Sequence, residues 1–260
     1  MDRRMSTALP AIGFRFDGKT CLVTGAGRGV GEVIAREFHA AGARVALSDI
    51  DPDSVKRVAD SLGTSGQSAM ALVLDVRRKE HFESARDRMT AAWGRVDIAI
   101  NNAGHAKRTP TQDISPEEFD DIVAVNMRSV FLSCQIFGEH MRANGYGRIV
   151  NVTSLAGQNG GTVASAHYAA SKAGAIMLSK YFALQLAGSG VVVNAVSPGP
   201  ISTAKGRLSA EQIARVESLV PVKRFAEASE IAAAVALLAS DQGGFIVGAT
   251  LDMNGGLHMR

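Results

Sequence analysis

Lys19-Thr20-Cys21-Leu22-Val23-Thr24-Gly25-Ala26-Gly27-Arg28-Gly29-Val30-Gly31 is a short apolar run that passes through a glycine turn straight into an amphipathic pattern. The run predicts a buried strand. Beyond it Val30, Val33, Ile34, Phe38 and Ala41 recur at helical spacing, with Gly42 just past the end. Strand, glycine turn and helix in that order make the cradle that a dinucleotide pyrophosphate needs. Glycines let the backbone turn tightly and approach the phosphates, while free N–H groups and the positive end of the helix dipole offset their charge.

The same rhythm continues outward. Runs at 43–48, 69–74, 96–100, 147–152, 191–196 and 245–253 are short and rich in β-branched residues, and the segments between them are long enough for crossover helices. Because the runs are continuously apolar rather than alternating, both faces of the sheet should be covered. The prediction is an α/β, doubly wound Rossmann fold: a seven-stranded parallel sheet, order 3-2-1-4-5-6-7, with helices on both faces. Ser115-Pro116-Glu117-Glu118 reads as an N-cap with proline at the first helical position and acids in the first turn, so a long helix to about Asn144 should follow. Residues 1–14 are expected to form a loose arm in which Met5 is an alternative start, and residues 15–260 one catalytic domain.

Composition narrows the function. The 260 residues are 46% apolar and 20% charged, which suits one large domain with an ample core. The net charge of +3 is scattered, and three Tyr and one Trp give little to stack on bases, so no nucleic-acid partner is expected. Cys21 and Cys134 sit inside apolar runs, where thiols act as small hydrophobes rather than as a disulfide. No apolar run reaches the ~18–20 residues that span a bilayer, and the start lacks the apolar region of a secretory signal. A cytoplasmic protein without membrane contact is expected. The six histidines show no ligand spacing, so no metal is expected. His167 reads as packing, and His105 either edges a pocket or is a plain loop residue.

Several polar residues fall at the carboxyl ends of the predicted strands, where the ligand crevice of such a sheet lies. Asp49 ends the second strand, 18 residues past Gly31. A carboxylate there accepts hydrogen bonds from the adenosine ribose hydroxyls and repels a 2′-phosphate, which favours NAD over NADP. The neighbouring Ile50 adds no cation, although Arg28 is a counterweight able to reach a 2′-phosphate. Asp75-Val76 and Asn101-Asn102-Ala103-Gly104 end the third and fourth strands. Tyr168 and Lys172, four apart in HYAASK, would share one helix face. An adjacent cation favours a phenolate and lowers its pKa by roughly 1–3 units, so the pair predicts an unusually acidic tyrosine able to exchange a proton with an alcohol.

With these residues in hand, the chain from about Phe14 to Gly256 resembles the short-chain dehydrogenase/reductase family. The motifs that carry the resemblance are TGAGRGVG, Asp75-Val76, NNAG, Asn126 in VNMRS, Ser154 in IVNVTS, YAASK and NAVSPGPIST, in the family's order. The resemblance implies hydride exchange between NAD(H) and a secondary alcohol or ketone, with a catalytic set of Asn126, Ser154, Tyr168 and Lys172. Tyr168 would be the general acid/base, Lys172 would hold the nicotinamide ribose, Ser154 would bond the substrate oxygen, and Asn126 would anchor a water. The cofactor would meet Gly25, Arg28, Gly29, Val30, Gly31, Asp49, Ile50, Asp75, Val76, Asn102, Ala103, Gly104, Tyr168, Lys172, Pro198, Gly199, Ile201 and Thr203.

Ser154 precedes Tyr168 by 14 residues, one more than is commonest in the family, so the loop between them should bulge. Val247 stands where the family often has Thr. Gln158, Asn159, Lys205 and Arg207 fall in the two segments, 155–167 and 200–226, where the resemblance places substrate choice, and are candidates to recognise a hydroxylated or anionic one. The resemblance also implies a homotetramer paired through the helices that begin near Ser115 and His167. The alternative enzyme is an NADPH-dependent 3-oxoacyl-carrier-protein reductase, suggested by the stretch 220–240. Against it stand Asp49, and Asn144 and Ser189 at helix ends where such reductases resemble one another in basic residues, although Arg142 is close. A nicotinamide-binding regulator without turnover is a further alternative, opposed by the intact catalytic set.

Overall fold

The computed structural model of the chain describes residues 13–63, 66–161 and 164–260. Strand β1 (Thr20–Thr24) is buried along its length. Its successive side chains feed opposite cores: Cys21 and Val23 join one apolar cluster and Leu22 the other, as a strand covered on both faces requires.

After β1 come α1 (Gly29–Ala40), β2 (Arg44–Asp49), α2 (Pro52–Ser61), β3 (Ala69–Val73), α3 (Lys79–Trp93) and β4 (Ile98–Asn101). The second half runs α4 (Pro116–Val123), α5 (Ser129–Ala143), β5 (Gly147–Val152), α6 (Ala156–Asn159), α7 (Ala166–Leu186) and β6 (Val191–Pro198). It ends with α8 (Ala210–Leu219), α9 (Ala228–Ala239) and β7 (Thr250–Met253). The seven strands form one sheet in the order β3-β2-β1-β4-β5-β6-β7, with every pair parallel. The order reverses between β1 and β4, and the crevice opens beyond their carboxyl ends.

On one face, Ile34 and Phe38 of α1, Val58 of α2 and Val235 of α9 close over Val23, Val45 and Leu47. On the other, Phe82 and Met89 of α3, Phe137 of α5 and Ala183 of α7 close over Leu22, Ala46 and Val193. Phe38 is wholly buried and stacks on Phe16 with ring centroids 4.5 Å apart. Burial of such a side chain stabilises by about 1.5–3 kcal/mol.

Two elements differ from expectation. The helix starting after Ser115 is capped as predicted, the Ser115 hydroxyl accepting the Glu118 N–H at 3.2 Å. It then passes through a π-helical turn at Ala124–Arg128 before continuing as α5, and such turns often mark functional sites. The last strand pairs only over Thr250–Met253, because Gln242–Phe245 make a 3-10 turn and Gly248 takes φ +70, which an extended run does not accommodate. Residues 1–12, with Met5 and most of the expected arm, lie outside the described residues. Phe14 already packs on the first core cluster.

Candidate active site

Two glycines hold the turn after β1 against the segment after β4. Gly25 has φ +67, and a Cβ there would stand 2.9 Å from the Ala103 Cα. A Cβ on Gly31 would stand 2.1 Å from the Gly25 carbonyl oxygen and 2.4 Å from Asn102 Nδ2. Asn102 Nδ2 donates to the Thr24 carbonyl at 2.9 Å, and Thr24 Oγ1 accepts the N–H groups of Asn102 and Ala103 at 3.1 and 3.0 Å. Gly29, at φ +62, faces open space, and α1 begins there without a side-chain cap from Arg28. Uncapped N–H groups, a helix N-terminus and room for close approach, with Val30 in the first turn, fit a pyrophosphate.

At the far end of this turn Asp49 Oδ2 accepts the Gly27 N–H at 3.1 Å and Oδ1 accepts the Asp51 N–H at 3.2 Å. Ile50 beside it is 58% exposed. Arg57 of α2 donates to the Gly27 carbonyl at 2.9 Å and pairs with Glu32 at 3.3 Å. Asp75 follows β3 with Val76 buried beside it. Its carboxylate is gripped by Arg77, with Nε at 2.9 Å from Oδ1 and Nη2 at 2.8 Å from Oδ2, and Arg77 holds it below the usual carboxylate range.

Past β5, two adjacent hydroxyls have different fates. Thr153 is buried and donates to the Val196 carbonyl at 2.7 Å, while Ser154 is half-buried and accepts the Ala156 N–H at 3.2 Å. The Ser154 hydroxyl also lies near the phenol of Tyr168, in the first turn of α7, and favours its ionised form. Lys172, one turn on, is 4% exposed and donates to the Val152 carbonyl at 2.9 Å, with Nζ 5.9 Å from the centre of the Tyr168 ring. Burial brings the Lys172 ammonium down to about 8.

The Tyr168 phenol is not the unusually acidic one that the sequence predicts. Burial holds the Tyr168 phenol above its ordinary value, and the lowering contact is Ser154 rather than Lys172, whose ammonium is committed to Val152. Asn126 lies in the π turn, wholly enclosed. Its Oδ1 accepts the His105 N–H at 2.8 Å, and its Nδ2 donates to the His105 carbonyl at 2.8 Å and to Ser171 Oγ at 3.2 Å. Its amide thus holds protein groups. A Cβ on Gly104 would stand 3.2 Å from Asn126 Oδ1 and 3.3 Å from Lys172 Nζ, so these segments converge on one point.

Pro198 ends β6, and the Gly199 N–H donates to the Met253 carbonyl at 3.0 Å. Ile201 bridges to Ala226, and Thr203 is exposed in the 3-10 turn that follows. His167 is fully buried and meets Glu118 Oε1 at 3.0 Å, a packing role, whereas the side chain of His105 is exposed. The loop between Ser154 and Tyr168 contains the short helix α6, followed by Gly160 and Gly161 at positive φ, and residues 162 and 163 lie outside the described residues. The polar candidates for substrate recognition are largely committed within the chain. Gln158 donates to Asp252, Asn159 accepts the Gly161 N–H and Lys205 pairs with Glu217 at 2.9 Å. The Arg207 side chain is outside the description. Glu118 and Asp252 were not singled out from sequence: one looked like a capping acid and the other like a strand residue, and their partners are remote in the chain.

Among the described residues no helix is long and apolar enough to cross a membrane. The family model described as Enoyl-(Acyl carrier protein) reductase matches residues 25–258. The chain is 40% identical over 247 residues to the 3-oxoacyl-[acyl-carrier-protein] reductase FabG of Escherichia coli, covering 94% of this chain and 99% of that protein. It is 38% identical over 248 residues to the D-threitol dehydrogenase of Mycolicibacterium smegmatis, covering 94% of each. The crystal structure of a short-chain dehydrogenase/reductase, glucose/ribitol dehydrogenase, from Brucella melitensis superposes with a TM-score of 0.86 at 29% identity, covering 96% of this chain and all of that one. Motifs, sheet order and full-length similarity agree, and the chain belongs to the short-chain dehydrogenase/reductase family of nicotinamide-dependent oxidoreductases.

Proposed function

We propose that the protein is an NAD-dependent oxidoreductase acting on a secondary alcohol or the matching ketone, with Tyr168 as general acid/base. The observation that carries this reading is the Ser154 hydroxyl placed near enough to the Tyr168 phenol to favour its ionised form, with Lys172 one helical turn on. A bound nicotinamide supplies the hydride donor or acceptor at this site. Tyr168 and Ser154 then stabilise charge on the reacting oxygen: in reduction the phenol gives its proton to that oxygen, and in oxidation the phenolate takes the alcohol proton. Lys172 supplies positive charge beneath them. Asn126 keeps the 105–110 loop closed on the catalytic helix through His105.

Asp49 supports NAD, since its carboxylate stands at the glycine turn where a 2′-phosphate would have to fit. The reductase relatives favour a second reading, a 3-oxoacyl-carrier-protein reductase, which Arg28 and Arg57 at the same corner would suit. D-threitol dehydrogenase, similar over the same length, suits a polyol instead. A homotetramer paired through α4, α5 and α7 is part of the proposal. Met177, Tyr181 and Leu184 stand 56–75% exposed along α7, while Ile176 turns inward. A cytoplasmic setting is also proposed, in keeping with two free, buried thiols.

The test is a turnover screen of secondary alcohols, polyols and 3-oxoacyl thioesters with NAD and NADP in parallel, alongside Tyr168→Phe. Turnover of an alcohol with NAD that is lost in Tyr168→Phe supports the reading. Efficient reduction of acyl thioesters with NADPH alone establishes the second one, and unchanged turnover in Tyr168→Phe defeats both.

A further inference from the structure

Helix α6 follows Ser154 in the chain and packs on α7, and it is held from several sides. Its backbone fixes Ser154: the Ala156 N–H donates to Ser154 Oγ at 3.2 Å and the Gly157 N–H to the Ser154 carbonyl at 2.9 Å. Toward α7 there is no slack, because a Cβ on Gly157 would stand 2.6 Å from the Lys172 carbonyl carbon. On the other side Gln158 Nε2 donates to Asp252 Oδ1 at 2.5 Å, across 94 residues of chain. The second oxygen of Asp252 accepts Arg260 Nε at 2.9 Å, and Arg260 Nη2 donates to the Thr250 carbonyl at 2.8 Å. Asp252 on β7 sits opposite Ser197 of β6, the strand that ends at Pro198 just before Gly199. The Gln158 oxygen is buried without a protein partner, so the charge-assisted bond to Asp252 dictates how the amide points.

We infer that Asp252 is a positioning residue for the reaction: through Gln158 it sets the place of α6, and through α6 the place of the Ser154 hydroxyl beside Tyr168, with Arg260 holding Asp252. The inference rests on the proposed role of Ser154. It adds a tether from β7, remote in sequence, to the geometry of the oxygen-binding corner.

Asp252→Leu, Gln158→Leu, Arg260→Ala and Arg260→Lys are to be compared with the wild type on the best substrate from the turnover screen, with cofactor affinity read by fluorescence titration. Asp252→Leu and Gln158→Leu should each lower kcat about tenfold while cofactor affinity moves less than about twofold, since a misplaced donor weakens the transition state and not the nucleotide site. Arg260→Ala should cost about threefold, and Arg260→Lys should recover only the part carried by the charge beside Asp252, since an ammonium cannot hold Asp252 and the Thr250 carbonyl as the guanidinium does. In a Ser154→Ala background, Asp252→Leu should cost less than about twofold, because both changes act on one hydroxyl. The same tenfold loss in that background, or a wild-type kcat in Asp252→Leu, overturns the inference. If Asp252→Leu does not fold, the Gln158→Leu and Ser154→Ala pair completes the same cycle. A wild type that turns over no substrate counts against the proposed function alone. The tether is then read by hydrogen exchange of the amides at 155–159, faster in Gln158→Leu if it exists and unchanged if it does not.

Discussion

The ammonium of Lys172 donates to the carbonyl oxygen of Val152 at 2.9 Å, almost wholly out of water. One backbone carbonyl is modest compensation for a buried charge, and the ammonium titrates at about 8 in the folded chain against 10.5 in a free lysine. Between those values the unfolded chain holds a proton that the folded chain has released, so stability rises with pH through this window. Below about 8 both states are charged, and the folded state carries the full cost of burial. Lys172→Met should therefore stabilise the protein at pH 7 by on the order of 1–3 kcal/mol, raising Tm by several degrees, while abolishing turnover. The gain should shrink as the melting pH approaches 10. A lower Tm for Lys172→Met at pH 7 counts against this account.

Ser154 is the contact that opposes burial at Tyr168, so removing it leaves the phenol still less acidic. Alcohol oxidation needs the phenolate and rises with pH; Ser154→Ala should move that rising limb to higher pH and lower kcat/KM by about 10²–10³-fold. Ketone reduction needs the protonated phenol, so it should fall in rate without losing activity at low pH. The control is Thr153→Val, which deletes the bond to Val196 and should cost about 1 kcal/mol of stability with little change in kcat/KM. Profiles of rate against pH in both directions decide the matter, and equal losses in the two variants would contradict it.

The fold was legible because its signals are local. Nearly continuous apolar runs such as Val191–Val196, broken only by Asn194, mark strands covered on both faces, and the glycine turn after Thr24 leads directly into the α1 pattern. Motif order also brought Ser154 and Tyr168 to one site, although the sequence pointed to Lys172 rather than Ser154 as the group acting on the phenol. What stayed hidden depends on contacts between distant segments. The commitment of Lys172 to Val152 spans 20 residues, that of Glu118 to His167 49 residues, and that of Gln158 to Asp252 94 residues. The π turn at Ala124–Arg128 was not anticipated, since AVNMR continues the helical stretch without a glycine or proline, and the contacts of Asn126 with His105 and Ser171 join segments distant in the chain. Phe245-Ile246-Val247 looked like strand for its β-branched content, and the positive φ of Gly248 ends that reading.

Asp49 offers a direct test of cofactor choice. Its carboxylate is fixed at the glycine turn by the N–H groups of Gly27 and Asp51. Arg28 and Arg57 flank the same turn, so on the proposed NAD reading the acid is what opposes a 2′-phosphate. Asp49→Ala should shift the ratio of kcat/KM for NAD over NADP toward NADP by about 10²-fold, combining lost ribose bonds with removed repulsion. Parallel saturation curves measure it, and a wild type already preferring NADP would reverse the assignment of Asp49.

Gly29 and Gly31 lie two residues apart, yet alanine should harm them differently. At Gly31 the added Cβ would meet the Gly25 carbonyl oxygen at 2.1 Å, a backbone atom that can retreat only by opening the join between β1 and α1. Gly31→Ala should therefore destabilise by about 2–4 kcal/mol and weaken cofactor binding as a consequence. At Gly29 a Cβ meets nothing within 4 Å, and the cost is the left-handed backbone at φ +62, about 1–2 kcal/mol. The new methyl would occupy the open space over the first turn of α1, where phosphates must approach the N–H groups. Gly29→Ala should thus lose cofactor affinity by more than about tenfold while unfolding only a few degrees earlier. Calorimetric titration with nucleotide, set beside thermal melts of the two variants, separates the cases. Equal affinity losses at equal stability in both variants would show that the open face of Gly29 is not where the pyrophosphate lies.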